Sequence, residues 1–318
     1  MSKISFLLGC VFSMTIASSV FGAEVDNFNS KLMNIPDREA QINQLANQYL
    51  AHAVEASHQV QGCNEEVLYQ ALRLAFKDRS KGMFVQDLLK QVHFPVRYMQ
   101  KGESIYKDWK LRNGVILAAK ISRVDKLSLS PVIRVGPRDI GVDKFQHMFG
   151  SGFNYFQSHY LEGKSIHRVL NVGIRNEKTF LGGNVLATGV YSYADLSANF
   201  NGMRFWNHVL LRNDDILGTE YNRGPYVQCV NNQWVVNKEN PIKLASYIDE
   251  SFDESINCSK FATKNSLEKI QAEVSASKFS GLVKCADNVD ILNKLERKYR
   301  SHDIYKYILN MDGHTKVD

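Results

Sequence analysis

Apolar positions recur with helical period over most of this chain. Within residues 141–206, two such runs carry polar residues along one whole side of the helix. In the first, Phe145, Met148, Phe149, Gly152, Phe153, Phe156 and Tyr160 build one wide apolar face. Asp143, His147, Ser151, Asn154 and Ser158 line another side of the same helix. In the second run Asp195, Asn199, Gly202 and Trp206 form a similar line, opposite Leu196, Phe200, Met203 and Leu210. The two polar lines are expected to face each other and make one site.

The flanks read as scaffold. Ile42, Leu45, Ala46, Leu50, Ala53 and Val54 share one helical face after Pro36. Asn64 caps a second helix with Val67, Leu68, Ala71 and Leu72 inward, and a third, over 83–92, stops ahead of Pro95 because a residue before proline is disfavoured in helix. His52, His58 and His93 on these helices read as surface or core-edge residues. Residues 115–119 and 132–135 are rich in β-branched and apolar residues and predict short strands; 165–174 predicts a short helix, followed by a flexible turn at Leu181, Gly182 and Gly183. Alternation on both sides of Asn231 and Asn232 predicts a hairpin, since asparagine tolerates the positive φ of a tight turn. The acidic group Asp249, Glu250, Asp253 and Glu254 reads as a solvated loop or helix start in preference to paired catalytic carboxylates. Helices resume over 266–279 and 289–300. The fold class expected is mainly α: a single multi-helix globular domain with a small β-hairpin. Along it, 23–135 is a helical scaffold, 136–225 the central helix pair, and 226–318 the hairpin and C-terminal helices.

Composition narrows the setting. With 44% hydrophobic residues the chain can bury a core, and its net charge of +6 is scattered rather than clustered, so no nucleic-acid partner is implied. Lys3, an apolar stretch over 4–20 and small residues up to Gly22 have the form of a signal peptide occupying 1–22, which predicts a periplasmic or secreted protein. Leu7, Leu8, Gly9 and Cys10 resemble a lipid-attachment box, but too few apolar residues precede it, and the mature chain is expected to be unlipidated. No later stretch approaches the roughly 20 apolar residues that span a bilayer. Export makes Cys63, Cys229, Cys258 and Cys285 an even set in an oxidising compartment, favouring two disulfides over metal ligation. Cys229–Cys258 would tie the hairpin to the acidic turn after it, and Cys63–Cys285 follows by elimination.

Asp143 and His147 sit four residues apart, where a carboxylate can orient an imidazole. With Asp195 and Asn199 opposite, and His208 further along, they form an oxygen and nitrogen site for a divalent cation, or for an anionic envelope ligand with Lys144 as its anion-binding group. A second use of Asp143, His147 and Asp195 is acid–base hydrolysis. The structural alternative makes Asp143 a helix N-terminal carboxylate, Ser192 and Asp195 an approximate capping box, and His147 and Asn199 a buried polar network. The zinc motif H-E-x-x-H, the nucleophile motif G-x-S-x-G and the P-loop are all missing from the sequence. Gly150, Ser151 and Gly152, inside a helix pattern, predict close approach of a neighbouring helix.

Asp143-Lys144-x-x-His147-Met148-Phe149 and Ser192-x-x-Asp195-Leu196-x-Ala198-Asn199-x-x-Gly202 resemble, in the same order, the D-K-x-x-H-F and S-x-x-D-L-x-A-N-x-x-G motifs of VanZ-like proteins and related bacterial envelope proteins. Met148 stands where that family has Phe, and the transmembrane helices of the family have no counterpart here. The resemblance implies an envelope location and a D/K/H plus D/N site; it does not supply a reaction.

Overall fold

In chain order the protein forms a short helix α1 (Asn27–Ser30), then α2 (Glu39–Ala56), α3 (Glu65–Leu72) and α4 (Met83–Leu89). A ribbon of β1 (Val132–Val135) and β2 (Arg138–Gly141), antiparallel with Val132 opposite Gly141, leads into a long helix. That helix comprises α5 (Asp143–Gln146), a wide π-helical turn at His147–Ser151, α6 (Gly152–Phe156) and a second π turn at Gln157–Leu161. There follow α7 (Ile166–Lys178), β3 (Val190–Tyr191), α8 (Tyr193–Leu210) and the hairpin β4 (Val227–Val230) and β5 (Gln233–Val236). Then β6 (Lys260–Phe261) pairs with β3, and α9 (Lys264–Ala276), α10 (Val289–Lys298) and α11 (Tyr305–Ile308) close the chain. This computed structural model describes residues 24–31, 33–77, 82–114, 129–178, 185, 188–276 and 289–317. The expected leader with Cys10, the strand expected over 115–119, the turn expected at Leu181 and Cys285 lie outside the described residues. Among those described the fold is mainly α, and its strands form two-stranded antiparallel ladders.

Local chemistry explains the element ends. Asn64 Oδ1 accepts the Val67 N–H at 3.1 Å and starts α3. Ser192, extended, accepts the Asp195 N–H at 3.1 Å and starts α8. Asn231 and Asn232, with φ of 50° and 62°, make the expected tight turn of the hairpin.

Helix α8 is the axis of the molecule. Every residue after Tyr193 in it is buried, so it needs partners on all sides. It crosses the 143–161 helix at two glycines. A Cβ on Gly152 would lie 2.6 Å from Gly202 Cα, and one on Gly202 only 1.9 Å from the Met148 carbonyl oxygen. No other residue type permits this approach. Around the crossing Phe76, Phe84, Phe145, Phe149, Phe153, Phe205 and Trp206 interlock, with Trp206 4.9 Å from Phe153 and its indole N–H donating to the Phe149 carbonyl at 3.1 Å. Trp206 thus ends the polar line of α8 in an aromatic core. One hydrophobic cluster takes residues from Ile42 to Leu309, so the scaffold, the helix pair and the C-terminal part share a core. No helix among the described residues is long and apolar enough to cross a membrane.

Two expectations are corrected. Cys63 pairs with Cys229, their Cα atoms 5.9 Å apart, so neither Cys229–Cys258 nor Cys63–Cys285 forms; Cys258 is itself disulfide-bonded. The hairpin folds back on the chain between α2 and α3, where the Trp234 indole donates to Asn64 O at 3.1 Å and His58 Nε2 lies 2.7 Å from Trp234 O. That docking, and not nearness in sequence, selects the pair. The acidic group is also not a solvated loop: Asp249, Asp253 and Glu254 are buried, each against its own lysine, Lys298, Lys31 and Lys144.

Candidate functional site

The two polar lines meet as their spacing predicts. His147, on the π turn, places Nε2 3.2 Å from Asp195 Oδ2 and Nδ1 3.1 Å from Asn199 Oδ1. Both nitrogens face oxygen acceptors, an arrangement that a doubly protonated ring satisfies. A π turn widens the helix by one residue and re-aims its side chains, a device frequent at functional sites.

Lys144 sits deeper, 1% exposed. Its ammonium donates to Asp143 Oδ2 at 2.7 Å, Asp195 Oδ1 at 2.6 Å and Glu254 Oε1 at 2.6 Å. Three N–H groups meet three carboxylates, so Lys144 has no donor left for the anion expected of it. Burial opposes its charge, and Asp143, Asp195 and Glu254 outweigh burial and hold its pKa well above the ordinary lysine value. Asp195 is likewise desolvated, yet His147 and Lys144 hold it below the usual carboxylate range. Glu254 goes the other way: burial raises it to about 7, with Lys144 limiting the rise and Asp195 and Asp143 adding to it.

Backbone and hydroxyl groups fix the cage. The Asp143 N–H donates to Ser130 Oγ at 3.0 Å, and the Ser192 hydroxyl, besides capping α8, donates to Glu254 Oε1 at 3.0 Å. Asp143 Oδ1 is buried without a hydrogen-bond partner and lies where a Cβ on Gly141 would be, 2.0 Å from it. One oxygen from each of Asp143, Asp195 and Glu254 lies within 4.8 Å of the others. Two oxygens bound at about 2.4 Å to one ion are at most about 4.8 Å apart, so the triad has the dimensions of a hard-cation site.

Two members of the centre escape periodicity. Glu254 comes from the acidic segment, and Glu24 from the first described residues; burial, then Glu254 and Asp195, push Glu24 well above the ordinary carboxylate range. A hint of Glu254 was the density of acid among aromatic residues; nothing in the sequence marks Glu24. Four carboxyl groups, Glu24, Asp143, Asp195 and Glu254, therefore gather around one ammonium, Lys144, with the His147 imidazole beside Asp195. Of the cluster, His147 has the most exposed side chain, at 11%, so the approach from solvent runs past it.

His208 does not join this centre. It belongs to a second network, along the 197, 201, 204 and 208 side of α8. There Arg204 Nε contacts both oxygens of Asp215 at 2.9 and 3.0 Å, Arg204 Nη1 donates to Asn201 Oδ1 at 2.6 Å, and the Asn201 amide donates to Tyr299 Oη at 2.9 Å. His208 Nδ1 lies 2.6 Å from Tyr247 Oη, while its Nε2 is 3.1 Å from Asp215 Oδ2 but off the line of a hydrogen bond. Burial keeps His208 below its ordinary pKa, and with 0% side-chain exposure it is sealed from substrate. On the 143–161 helix, Ser151 is buried, whereas Asn154 is exposed. Comparison with protein-family models, with curated proteins and with solved structures gives no match to this chain.

Proposed function

We propose that this is an exported cell-envelope protein whose central site binds a cation. The observation that carries the reading is the converging oxygen triad of Asp143, Asp195 and Glu254. An excess of carboxylates repels an anionic envelope ligand, and an all-oxygen set suits a hard divalent ion such as Mg²⁺ or Ca²⁺. Lys144 is the resident cation, and an added ion competes with its ammonium for the same oxygens. Disulfide bonding at Cys63, Cys229 and Cys258 supports export, as does the apolar leader, and the likeness of the two motif runs to VanZ-like proteins agrees with an envelope location.

The test is thermal melting of the wild type and of Lys144→Met with Mg²⁺, Ca²⁺, Mn²⁺ or Zn²⁺, each against a chelator control. Ligand at 100 times its Kd stabilises by about 2.7 kcal/mol, so the bound ion raises the melting temperature by several degrees. The rise is larger in Lys144→Met, which has lost the competitor, and disappears in Asp195→Asn. If none of the four ions moves either melt, there is no cation site.

The 3.2 Å His147–Asp195 contact favours a second reading, an envelope hydrolase using Asp143, His147 and Asp195 for acid–base chemistry. Turnover of envelope-derived esters, amides or glycosides that is lost in His147→Gln supports it; inactivity across such a panel argues against it.

A further inference from the structure

A cleft of about 290 Å³ opens where the end of α1, the β1–β2 ribbon and the 250–256 segment meet. Its walls carry both charges in equal number, Lys31, Arg134 and Arg138 against Asp139, Glu250 and Asp253. None of these six side chains is a member of the acidic centre. The volume lies at the small end of ligand sites, which run from roughly 300 to 1,000 Å³.

Two of the three ion pairs are fixed parts of the wall. Asp139 stands opposite Arg134 in the ribbon and takes its guanidinium side-on, from Nε at 2.7 Å and from Nη2 at 2.9 Å. Asp253 Oδ1 accepts the Ser255 N–H at 2.8 Å and the Ser255 hydroxyl at 2.6 Å, while its Oδ2 faces Lys31 Nζ at 3.2 Å. Both carboxylates are buried. The third pair differs. Arg138 donates from Nη2 to Glu250 Oε1 at 3.0 Å, but its Nε is buried and has no hydrogen-bond partner. The fork that Asp139 fills on Arg134 is therefore only half used on Arg138. The two side chains of this pair are 23% and 25% exposed, so solvent reaches both, and a pair so placed holds together weakly.

We infer that the cleft binds a small zwitterion, an α-amino acid or a short peptide, which inserts into the Arg138–Glu250 pair. The ligand carboxylate takes Nε and Nη2 of Arg138 together, and the ligand ammonium takes the Glu250 carboxylate that Arg138 gives up. Each charge of the protein keeps an opposite charge, and a buried N–H gains an acceptor. A simple anion leaves Glu250 without its cation and meets two further carboxylates in the walls. A simple cation leaves Arg138 without its anion. Only a ligand that carries both charges replaces both partners. Pro137 and Ile256 line the rest of the cleft and suit a small alkyl side chain. The site is independent of the cation proposed for the acidic centre.

The experiment titrates the full chain with glycine, alanine and dialanine and follows the backbone amides by heteronuclear NMR, with acetate and methylammonium as single-charge controls. Saturable shifts centred on Arg138, Glu250 and Ile256 are expected for at least one of the three zwitterions at millimolar concentration. Acetate and methylammonium each bind about 10–100-fold more weakly, the factor that one charge-assisted contact supplies. Arg138→Gln and Glu250→Gln weaken the zwitterion by a similar factor, and so does Arg138→Lys, which keeps the charge and loses the fork. The controls read the wild type alone, so the proposal stays open to refutation even if a variant folds poorly. It is overturned if no zwitterion shifts the cleft resonances, if the shifts map elsewhere, if acetate binds as tightly as alanine, or if a folded Arg138→Gln protein binds unchanged.

Discussion

Replacing Lys144 by Met is the sharpest test of how the centre is held together. The side chain keeps its length and apolar stem and loses only the ammonium that three buried carboxylates share. Removing one partner of a buried ion pair costs about 3–5 kcal/mol. Three acids lean on this one cation, which puts the loss at the upper end of that range. For a chain of this size each kcal/mol lowers the melting temperature by about 2–3 °C, so a fall of roughly 10–15 °C is expected. The sign of the pH dependence follows from the pKa shifts. Glu254 is raised from 4.5 to about 7, so its protonated form contributes stability that is present below about pH 4.5 and lost as the pH rises through about 7. Asp195 is depressed, so its ionised form contributes stability present above its unfolded value of 3.8 and lost as the pH falls through its lower folded value. Without the ammonium both groups move upward: Asp195 loses its advantage as an anion, and Glu254 holds its proton to higher pH. The deficit of Lys144→Met is therefore largest near pH 8 and shrinks toward pH 5, where the carboxyls take up protons. Urea denaturation at the two pH values measures it. A deficit that is equal at both, or a melt within about 2 °C of wild type at pH 8, would falsify the view that Lys144 is the electrostatic keystone.

Gly202→Ala forces a methyl group to within 1.9 Å of a backbone oxygen that cannot rotate away, so the two helices must separate. The expected loss is about 3 kcal/mol or more by urea denaturation, and a loss below about 1 kcal/mol means that the crossing is looser than described. Ser192→Ala removes both the cap of α8 and a hydrogen bond to Glu254; about 1–2 kcal/mol is expected from calorimetry, and an unchanged melt contradicts the cap. Non-reducing peptide maps are expected to show Cys63 joined to Cys229 and, if Cys10 leaves with the proposed leader, Cys258 joined to Cys285. Reduction costs about 2–5 kcal/mol, and recovery of a Cys229–Cys258 peptide refutes the assignment.

What the sequence revealed and what it hid divide along one physical line. Helical spacing is local, so it located the meeting of Asp143, His147, Asp195 and Asn199, the cap at Ser192 and the glycine approach at Gly152. It also located the Asn231–Asn232 turn, because turn chemistry is written in adjacent residues. Glu254 and Glu24 approach the centre from segments far away in the chain and from no repeating pattern, so no spacing announces them, and only the local density of acid hints at Glu254. The second polar side of α8 was missed for a related reason: Ser197, Asn201, Arg204 and His208 do keep helical spacing, but a helix polar on one side is ordinarily read as facing solvent on another, and this one has no solvent side. Cysteine pairing failed because it depends on where the hairpin docks. The role of Lys144 failed because its three acceptors come from three separate segments.

A rod enclosed along its whole length cannot fray independently of its surroundings. The backbone amides of α8 reach deuterated solvent only when the packing on both of its charged flanks comes apart, that is, when the whole molecule opens. Their exchange rate is therefore a built-in gauge of global unfolding free energy, readable residue by residue while the protein stays native. Ends such as the exposed first turn of α10 would exchange through local opening and report nothing of the kind.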